Sequence, residues 1–168
     1  MTTKVTGHGA MPGDPTARDI VERVIRVDQA GEYGAIRIYE GQLAALRATG
    51  RASSEAARKI EHMLRQERQH NAVFDKLLVE RRVRPTALQP LWSVAGLALG
   101  AVTALMGEQA AMACTVAVGE PIDKHHASQR DQLGDDEASL RDIVETFRKE
   151  ELTHRDEALA AGAEQAPA

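Results

Sequence analysis

The sequence predicts an all-α fold, an up-down bundle of four long helices in one domain. Apolar residues recur every three or four positions through four long segments, and no segment shows the strict alternation of a half-buried strand. Aromatic residues make up only 3% of the chain, which is too few for a β-sandwich. A length of 168 residues, 43% of them hydrophobic, suffices for one domain with its own core.

Charge and cysteine content narrow the function. The net charge of −4 and the scarcity of aromatic residues argue against a nucleic-acid partner. The single cysteine, Cys114, excludes an internal disulfide and any cysteine-based zinc or iron–sulfur cluster, and we expect it to be a small buried residue. Residues 1–14 lack the apolar stretch of a secretory signal. We therefore expect a flexible N-terminal tail and a protein retained in the cytoplasm.

Capping residues and helix breakers delimit the first two helices. The first is expected from residue 14 to about residue 49, where Gly50 stops it. Ser53 or Ser54 is expected to cap the second helix, which ends around Arg82. Its core stripe steps by three and four residues through Ile60, Met63, Glu67, His70, Phe74 and Leu77.

The third segment is unusual because residues 85–107 carry no charge. Prolines and glycines interrupt it, so a full membrane span is disfavoured. Two interpretations remain open: a deeply buried helix, or a helix at the membrane interface, where Trp92 would be well suited. We expect this helix to continue past Glu108 to about Leu133.

The fourth helix is expected to follow the turn at residues 134–136 and to end at Gly162. The predicted helical domain thus covers residues 15–162, with a C-terminal tail at residues 163–168.

Polar residues occupy positions where this bundle should have its core. Glu67 and His70 lie in core phase on the second helix, Glu151 and His154 on the fourth, and Glu32 on the first. Buried ionised carboxylates are costly unless they are paired or bound to metal. The pattern predicts a compensating positive charge at the bundle centre; the alternative is that these are surface Glu–His pairs on helices whose ends are misplaced.

The two Glu-x-x-His pairs resemble the ligand pattern of ferritin-like dimetal carboxylate proteins. Spacing of i, i+3 places both side chains on one helix face, where they can reach one ion. That class takes one Glu from each of two helices and Glu-x-x-His from the other two. Carboxylate and imidazole ligands without thiolates favour iron or manganese over structural zinc. The predicted fold is a ferritin-like up-down four-helix bundle with a dimetal carboxylate centre.

Most of the chain, about residues 18 to 167, resembles one enzyme family, the demethoxyubiquinone hydroxylases. The segments that carry the resemblance are VDQAGEYGAIRIYEGQL, RPTALQPLW, ALGAVTALMGEQAAMACTVAV and FRKEELTHRDEAL. The resemblance implies a diiron monooxygenase of ubiquinone biosynthesis. Such an enzyme hydroxylates a demethoxyubiquinone-type polyprenyl benzoquinone, 2-polyprenyl-3-methyl-6-methoxy-1,4-benzoquinone, with two Fe²⁺ ions, O₂ and electrons from NADH.

The resemblance also implies the metal ligands, which by matching motifs are Glu32, Glu67, His70, Glu151 and His154, with a sixth on the third helix. The family's glutamate there falls on Gly119, and Glu120 is the neighbouring carboxylate. One residue rotates a helical side chain by about 100°, so Glu120 requires a local distortion, which Pro121 can supply. We predict Glu120 as the sixth ligand; Asp123 and a site that is defective or completed by water are the alternatives.

Other expectations concern neighbouring residues and partners. Asp28 and Arg37 are expected to hydrogen-bond the ligands. His126 stands where the family often has a tyrosine, and His125 and His126 are expected to be solvated. The resemblance further implies a peripheral location on the cytoplasmic face of the inner membrane, a lipid-binding companion protein, a homo-oligomer, and a further apolar helix beyond Ala168.

Two other classes share this core. A ferritin-like iron store needs a polar, cage-forming exterior, against which the uncharged segment argues. A catalytically impaired bundle that binds lipid or quinone is the other alternative, because Gly119 replaces a ligand.

Overall fold

The computed structural model describes residues 13–166, with the exception of the Glu120 side chain, and all its regular structure is helical. The five α-helices are α1 (Ala17–Ala48), α2 (Glu55–Glu80), α3 (Gln89–Met106), α4 (Glu108–Gln132) and α5 (Ala138–Ala160). Short 3-10 helices follow at Asp135–Glu137 and Ala163–Gln165, and residues 13–166 contain no strand. The all-α, ferritin-like prediction is confirmed. The predicted N-terminal tail lies, up to residue 12, outside the described residues, as do residues 167–168.

Local sequence signals explain the ends of the first two helices. The Thr16 side chain accepts a hydrogen bond from the Asp19 backbone, and the Asp19 side chain accepts one from the Thr16 backbone, so α1 begins with a capping box. Gly50, with a φ of +74°, follows its last turn. Ser54, one of the two predicted caps, accepts from the Ala57 backbone and begins α2.

The prediction of one continuous third helix is wrong, because the chain breaks at Gly107. This residue has a φ of +138°, a backbone conformation that L side chains rarely adopt. It ends α3 and begins α4, whose first turn carries Glu108. The uncharged segment is therefore an independent helix rather than the first half of a bundle helix.

Helix α3 packs against α1 with the two backbones in contact. A Cβ atom added at Gly100 would lie 1.9 Å from the Ile38 carbonyl oxygen, and one added at Gly41 would lie 2.2 Å from the Leu97 carbonyl oxygen. Only glycine permits this separation. The contact fixes α3 along the helix that carries Glu32.

The opposite face of α3 is exposed and apolar. Only Gly96, Gly100 and Ala104 of its 18 residues are buried. The exposed large side chains are Leu91, Trp92, Val94, Leu97, Leu99, Val102, Leu105 and Met106. The interpretation of this segment as a deeply buried helix is wrong, and the helix is long and apolar enough by composition to cross a membrane.

The buried interior consists of two hydrophobic clusters with a polar layer between them. One cluster includes Leu43, Ile60 and Met112, and the other includes Ile25 and Val144. Along α1, α2 and α5, the segments that join the two clusters carry the inward carboxylates and histidines. The layer lies between the two clusters, and its carboxylates and histidines are buried.

Candidate metal centre

Glu67 lies between both histidines of the two Glu-x-x-His motifs. Its Oε1 atom is 3.2 Å from Nδ1 of His154, and its Oε2 atom is 3.9 Å from Nδ1 of His70. Glu32 Oε2 is 3.4 Å from the same His70 nitrogen, and Glu151 Oε1 is 3.6 Å from that of His154. One ligand atom from each of Glu32, Glu67, His70 and Glu151 lies within 4.8 Å of the others. Helices α1, α2 and α5 thus converge on one point.

The atoms that converge are the ones left without hydrogen bonds. Among the described residues, both Glu67 oxygens, Glu151 Oε1 and Nδ1 of His70 and His154 are buried with no hydrogen-bond partner. Buried polar atoms are normally paired, and leaving one unpaired costs about 1–3 kcal/mol. Carboxylate oxygens and imidazole nitrogens aimed at one point fit divalent iron or manganese.

Burial sets the electrostatics of this layer. It raises the pKa of Glu32 to about 8, that of Glu67 to about 7 and that of Glu151 to about 8, and the neighbouring carboxylates add to the effect. Burial by itself lowers the pKa of His154. The contacts of His154 with Glu67 and Glu151 outweigh that effect, so its pKa is raised. The layer thus strongly disfavours its own negative charge, which bound cations would stabilise.

Two residues that the sequence analysis missed hold the outer nitrogens of the histidines. The Glu150 carboxylate contacts Nε2 of His70, and Gln66 Oε1 lies 2.8 Å from Nε2 of His154. The His70 ring also stacks on Phe147, with ring centroids 3.9 Å apart. Both imidazoles therefore present Nδ1 inward. The available signal was position, since each holding residue immediately precedes the glutamate of a motif.

Gly119 of α4 is the position at which the family resemblance expects a glutamate. The residue is buried, and a Cβ atom added to it would meet nothing within 4 Å. Glu120, the predicted sixth ligand, belongs to α4, but its side chain lies outside the described part of the chain. Asp123 instead accepts a hydrogen bond of 2.6 Å from Arg148. The open space beside Gly119 leaves room for a side chain at this position.

Three expectations about the neighbours of the centre are wrong. Arg37 contacts Glu40 and the Ser93 carbonyl oxygen rather than a candidate ligand. Asp28 is buried and accepts a 2.6 Å hydrogen bond from Gln129. His126, expected in solvent, is only 2% exposed. It packs inward because it lies seven residues after Gly119 on the same helix face.

Burial shifts the pKa values of Asp28 and His126 in opposite directions. Burial raises the pKa of Asp28 to about 7, although the Gln129 hydrogen bond works against the shift. Burial, with the charges of His125 and His70, lowers the pKa of His126 to about 4. The His125 side chain is 47% exposed, as predicted.

Two cavities with lining residues in common lie between α3 and the centre. One of about 280 Å³ is lined by Glu32, Glu67 and Glu151, among others. The other, of about 860 Å³, is mostly apolar and reaches Trp92 and Leu99 on α3. They share the lining residues Val27, Gly31, Ala35, Pro121 and Ile122. An apolar path thus joins the exposed helix to the carboxylates.

Sequence comparison identifies the family. The family model described as Ubiquinone biosynthesis protein COQ7 matches residues 19–168. The chain belongs to the COQ7 family. The resemblance to demethoxyubiquinone hydroxylases stated from the motifs is thereby confirmed.

Individual COQ7 relatives agree with this assignment. The chain is 57% identical over 163 residues to 3-demethoxyubiquinol 3-hydroxylase of Rhodospirillum rubrum. The alignment covers 97% of this chain and 75% of the relative. It is 49% identical over 159 residues to NADPH-dependent 3-demethoxyubiquinone 3-hydroxylase, mitochondrial, of Homo sapiens. That alignment covers 92% of this chain and 71% of the relative. It is 38% identical over 154 residues to 5-demethoxyubiquinone hydroxylase, mitochondrial, of Saccharomyces cerevisiae. That alignment covers 83% of this chain and 65% of the relative. The predicted function, a hydroxylase of ubiquinone biosynthesis, is confirmed at this level.

Proposed function

We propose that the chain hydroxylates a demethoxyubiquinone-type polyprenyl benzoquinone with O₂ and electrons from a reduced nicotinamide nucleotide. The observation that carries the proposal is the apolar path from α3 to the buried Glu/His group. A quinone with a polyprenyl tail is apolar enough to follow such a path, and its ring would reach the carboxylates. NADH was expected from the resemblance, whereas the names of several relatives specify NADPH.

We propose two iron ions held by Glu32, Glu67, His70, Glu120, Glu151 and His154. When bound, the iron supplies the activation of O₂ that hydroxylation requires. The protein contributes the other requirements. Glu67 lies between the two histidines, Glu150 and Gln66 orient the imidazoles, and the apolar walls of the path exclude water.

We propose that the exposed face of α3 lies against the membrane from which the quinone enters. Lipid is the occupant favoured here because this face has no charged side chain over 18 residues and because the apolar groove opens beside it. The protein would then be peripheral, on the cytoplasmic face of the inner membrane. A companion protein and a second copy of the chain are the competing occupants.

Hydroxylation is tested with protein reconstituted anaerobically with Fe²⁺ in vesicles that contain demethoxyubiquinone. We expect ¹⁸O from ¹⁸O₂ in the quinone product by mass spectrometry, with NADH and NADPH compared as donors. Glu67→Gln should abolish the product, and Glu164→Gln, an exposed carboxylate remote from the layer, should not. Tightly bound iron and quinone without product would overturn the proposal and return the chain to a quinone-binding bundle.

Membrane docking is tested separately by vesicle co-sedimentation. Replacing Leu91, Val94 and Leu105 together by serine should abolish binding to anionic phospholipid vesicles while a water-soluble short-tail quinone is still hydroxylated. Val79→Ser removes an equally exposed apolar side chain from α2 and is the matched control. Unchanged sedimentation of the triple variant would exclude α3 as the docking face and would favour the other occupants.

A further inference from the structure

Asp28, His125, His126 and Gln129 form a second polar cluster, between α1 and α4. Asp28 lies one helical turn from Glu32 and contacts none of the proposed iron ligands by hydrogen bond. We propose that this cluster is an accessory binding site for a divalent transition-metal ion, separate from the centre formed by the Glu-x-x-His motifs. The inference does not depend on the proposed hydroxylation.

The distances within the cluster suit a shared ion. Nε2 of His126 lies 3.8 Å, and Nε2 of His125 lies 3.9 Å, from Oδ1 of Asp28. Two ligand atoms that each lie about 2.1 Å from one ion are separated by about 3 to 4.2 Å. Each imidazole nitrogen therefore lies at a distance from Asp28 that is compatible with a shared ion.

The cluster contains buried atoms whose hydrogen-bonding capacity is unused. Among the described residues, Oδ2 of Asp28, Nδ1 of His126 and Oε1 of Gln129 have no hydrogen-bond partner. The three side chains belong to residues that are only 2–3% exposed. Unpaired polar atoms at this depth are rare in folded proteins, so these side chains retain unused capacity to bind a cation or a donor.

Gln129 occupies the place that a cation would take. Its amide nitrogen lies 2.6 Å from Oδ1 of Asp28 and 2.8 Å from Nε2 of His125, so the positive end of the amide bridges the two acceptors. Rotation of the amide by about 180° exchanges nitrogen for oxygen with little change in shape. With an ion present, the rotated Gln129 would contribute its oxygen as a ligand.

The resulting ligand set selects the kind of ion. Two imidazoles, one carboxylate and one amide oxygen favour a borderline divalent ion such as Zn²⁺, Co²⁺ or Fe²⁺ over Ca²⁺ or Mg²⁺. Asp28, His125 and His126 line the small cavity that reaches Glu32, and His125 is half exposed. An ion could thus enter from solvent without crossing the apolar groove.

Co²⁺ binding to the full-length chain tests the site, with visible absorption and metal analysis as readouts. The background is Glu67→Gln/His154→Ala, which disables the other centre. We expect about one Co²⁺ per chain to remain, and His126→Phe in that background to weaken its binding at least tenfold. His62→Ala, which removes an exposed histidine of α2, should have no effect.

Because His126 is buried, circular dichroism must show that His126→Phe folds. His125→Ala provides a second variant at a half-exposed position, and it should also weaken Co²⁺ binding about tenfold. Absence of Co²⁺ from the folded background variant, or Co²⁺ binding by the His125 and His126 variants that is as tight as that of the background variant, would overturn the inference. If the unmodified protein fails to hydroxylate quinone but the Co²⁺ results are as expected, only the proposed function is rejected.

Discussion

The Oε1 atom of Gln66 lies 2.8 Å from Nε2 of His154, although the two residues are 88 positions apart in the chain. Glu150 contacts Nε2 of His70 in the reciprocal arrangement. Each holding residue thus precedes the glutamate of one motif and orients the histidine of the other. The two motifs support each other across the bundle, but one histidine is held by a carboxylate and the other by an amide.

Removing the carboxylate contact should weaken metal binding. We expect Glu150→Ala to reduce the affinity for Co²⁺ by about 10- to 100-fold, because the His70 ring loses the group that fixes its orientation. Glu150→Gln should retain part of that affinity, since an amide oxygen can still accept the bond. Titration followed by visible absorption measures both. Glu157→Ala on the same helix is the control, and equal affinities for it and Glu150→Ala would contradict the prediction.

The open space at Gly119 predicts a stabilising substitution. Gly119→Ala should raise the free energy of unfolding by about 0.5–1 kcal/mol, because the methyl group meets no atom within 4 Å and the unfolded chain loses freedom. Thermal unfolding should show an increase of about 2–3 °C. A decrease would mean that the helix around Pro121 depends on the glycine.

The opposite result is expected where α1 and α3 touch. Gly100→Ala places a methyl group against the Ile38 carbonyl oxygen and must separate the two helices. We expect a loss of about 1–3 kcal/mol in denaturant unfolding. Gly119→Ala is the matched control, since it makes the same chemical change at an open helical position. Unchanged stability would show that α3 is not held against α1 in solution.

The sixth ligand can be identified by metal counting. Glu120→Gln should lower the iron content from two ions per chain to one if Glu120 is a ligand. Gly119→Glu in the same variant should restore the second ion, because the space beside residue 119 can accept a side chain. Mössbauer spectra distinguish a coupled pair from single ions. Two coupled irons in Glu120→Gln would contradict the proposed role.

The carboxylate layer predicts how the stability of the metal-free protein depends on pH. The pKa of Glu32 is about 8 in the folded chain and near 4.5 when unfolded, so the unfolded state binds fewer protons between these values. The contribution of Glu32 to the free energy of unfolding should therefore be fully present below about pH 4.5 and should be lost as the pH rises to about 8. We expect the melting temperature to drop by about 4 °C or more from pH 5 to pH 8.

Glu32→Gln should flatten that pH profile, whereas the exposed Glu164→Gln should leave it unchanged. Saturating Co²⁺ should also remove the decline, because the ionised carboxylates are then bound. A metal-free protein that becomes more stable from pH 5 to pH 8 would show that the layer is ionised without metal.

Regular periodicity made much of this fold predictable. The glutamates and histidines of both motifs could be placed inward because they interrupt apolar stripes, and Ser54 and Gly50 mark helix ends. The break at Gly107 was missed because apolar residues resume directly after Glu108 and Gln109, so the two helices look like one in the sequence. The burial of His126 was missed because residue type was given more weight than helix phase. Inside the bundle, Asp28 on α1 provides a polar neighbour for this histidine. Glu150 and Gln66 each precede the glutamate of one motif, but their contact is with the histidine of the other, which the spacing within a single motif does not reveal.

The division of the interior into two hydrophobic clusters has a consequence for how the protein unfolds. Each cluster is continuous within itself, but the segments that connect them on α1, α2 and α5 carry acids and histidines. Without ions, ionisation of these carboxylates as the pH rises through about 7 to 8 would weaken the junction, and the two ends of the bundle would then exchange their amide hydrogens at different rates. The proposed ions would convert the junction into a cross-link between three helices, so that both ends would open and close as one cooperative unit.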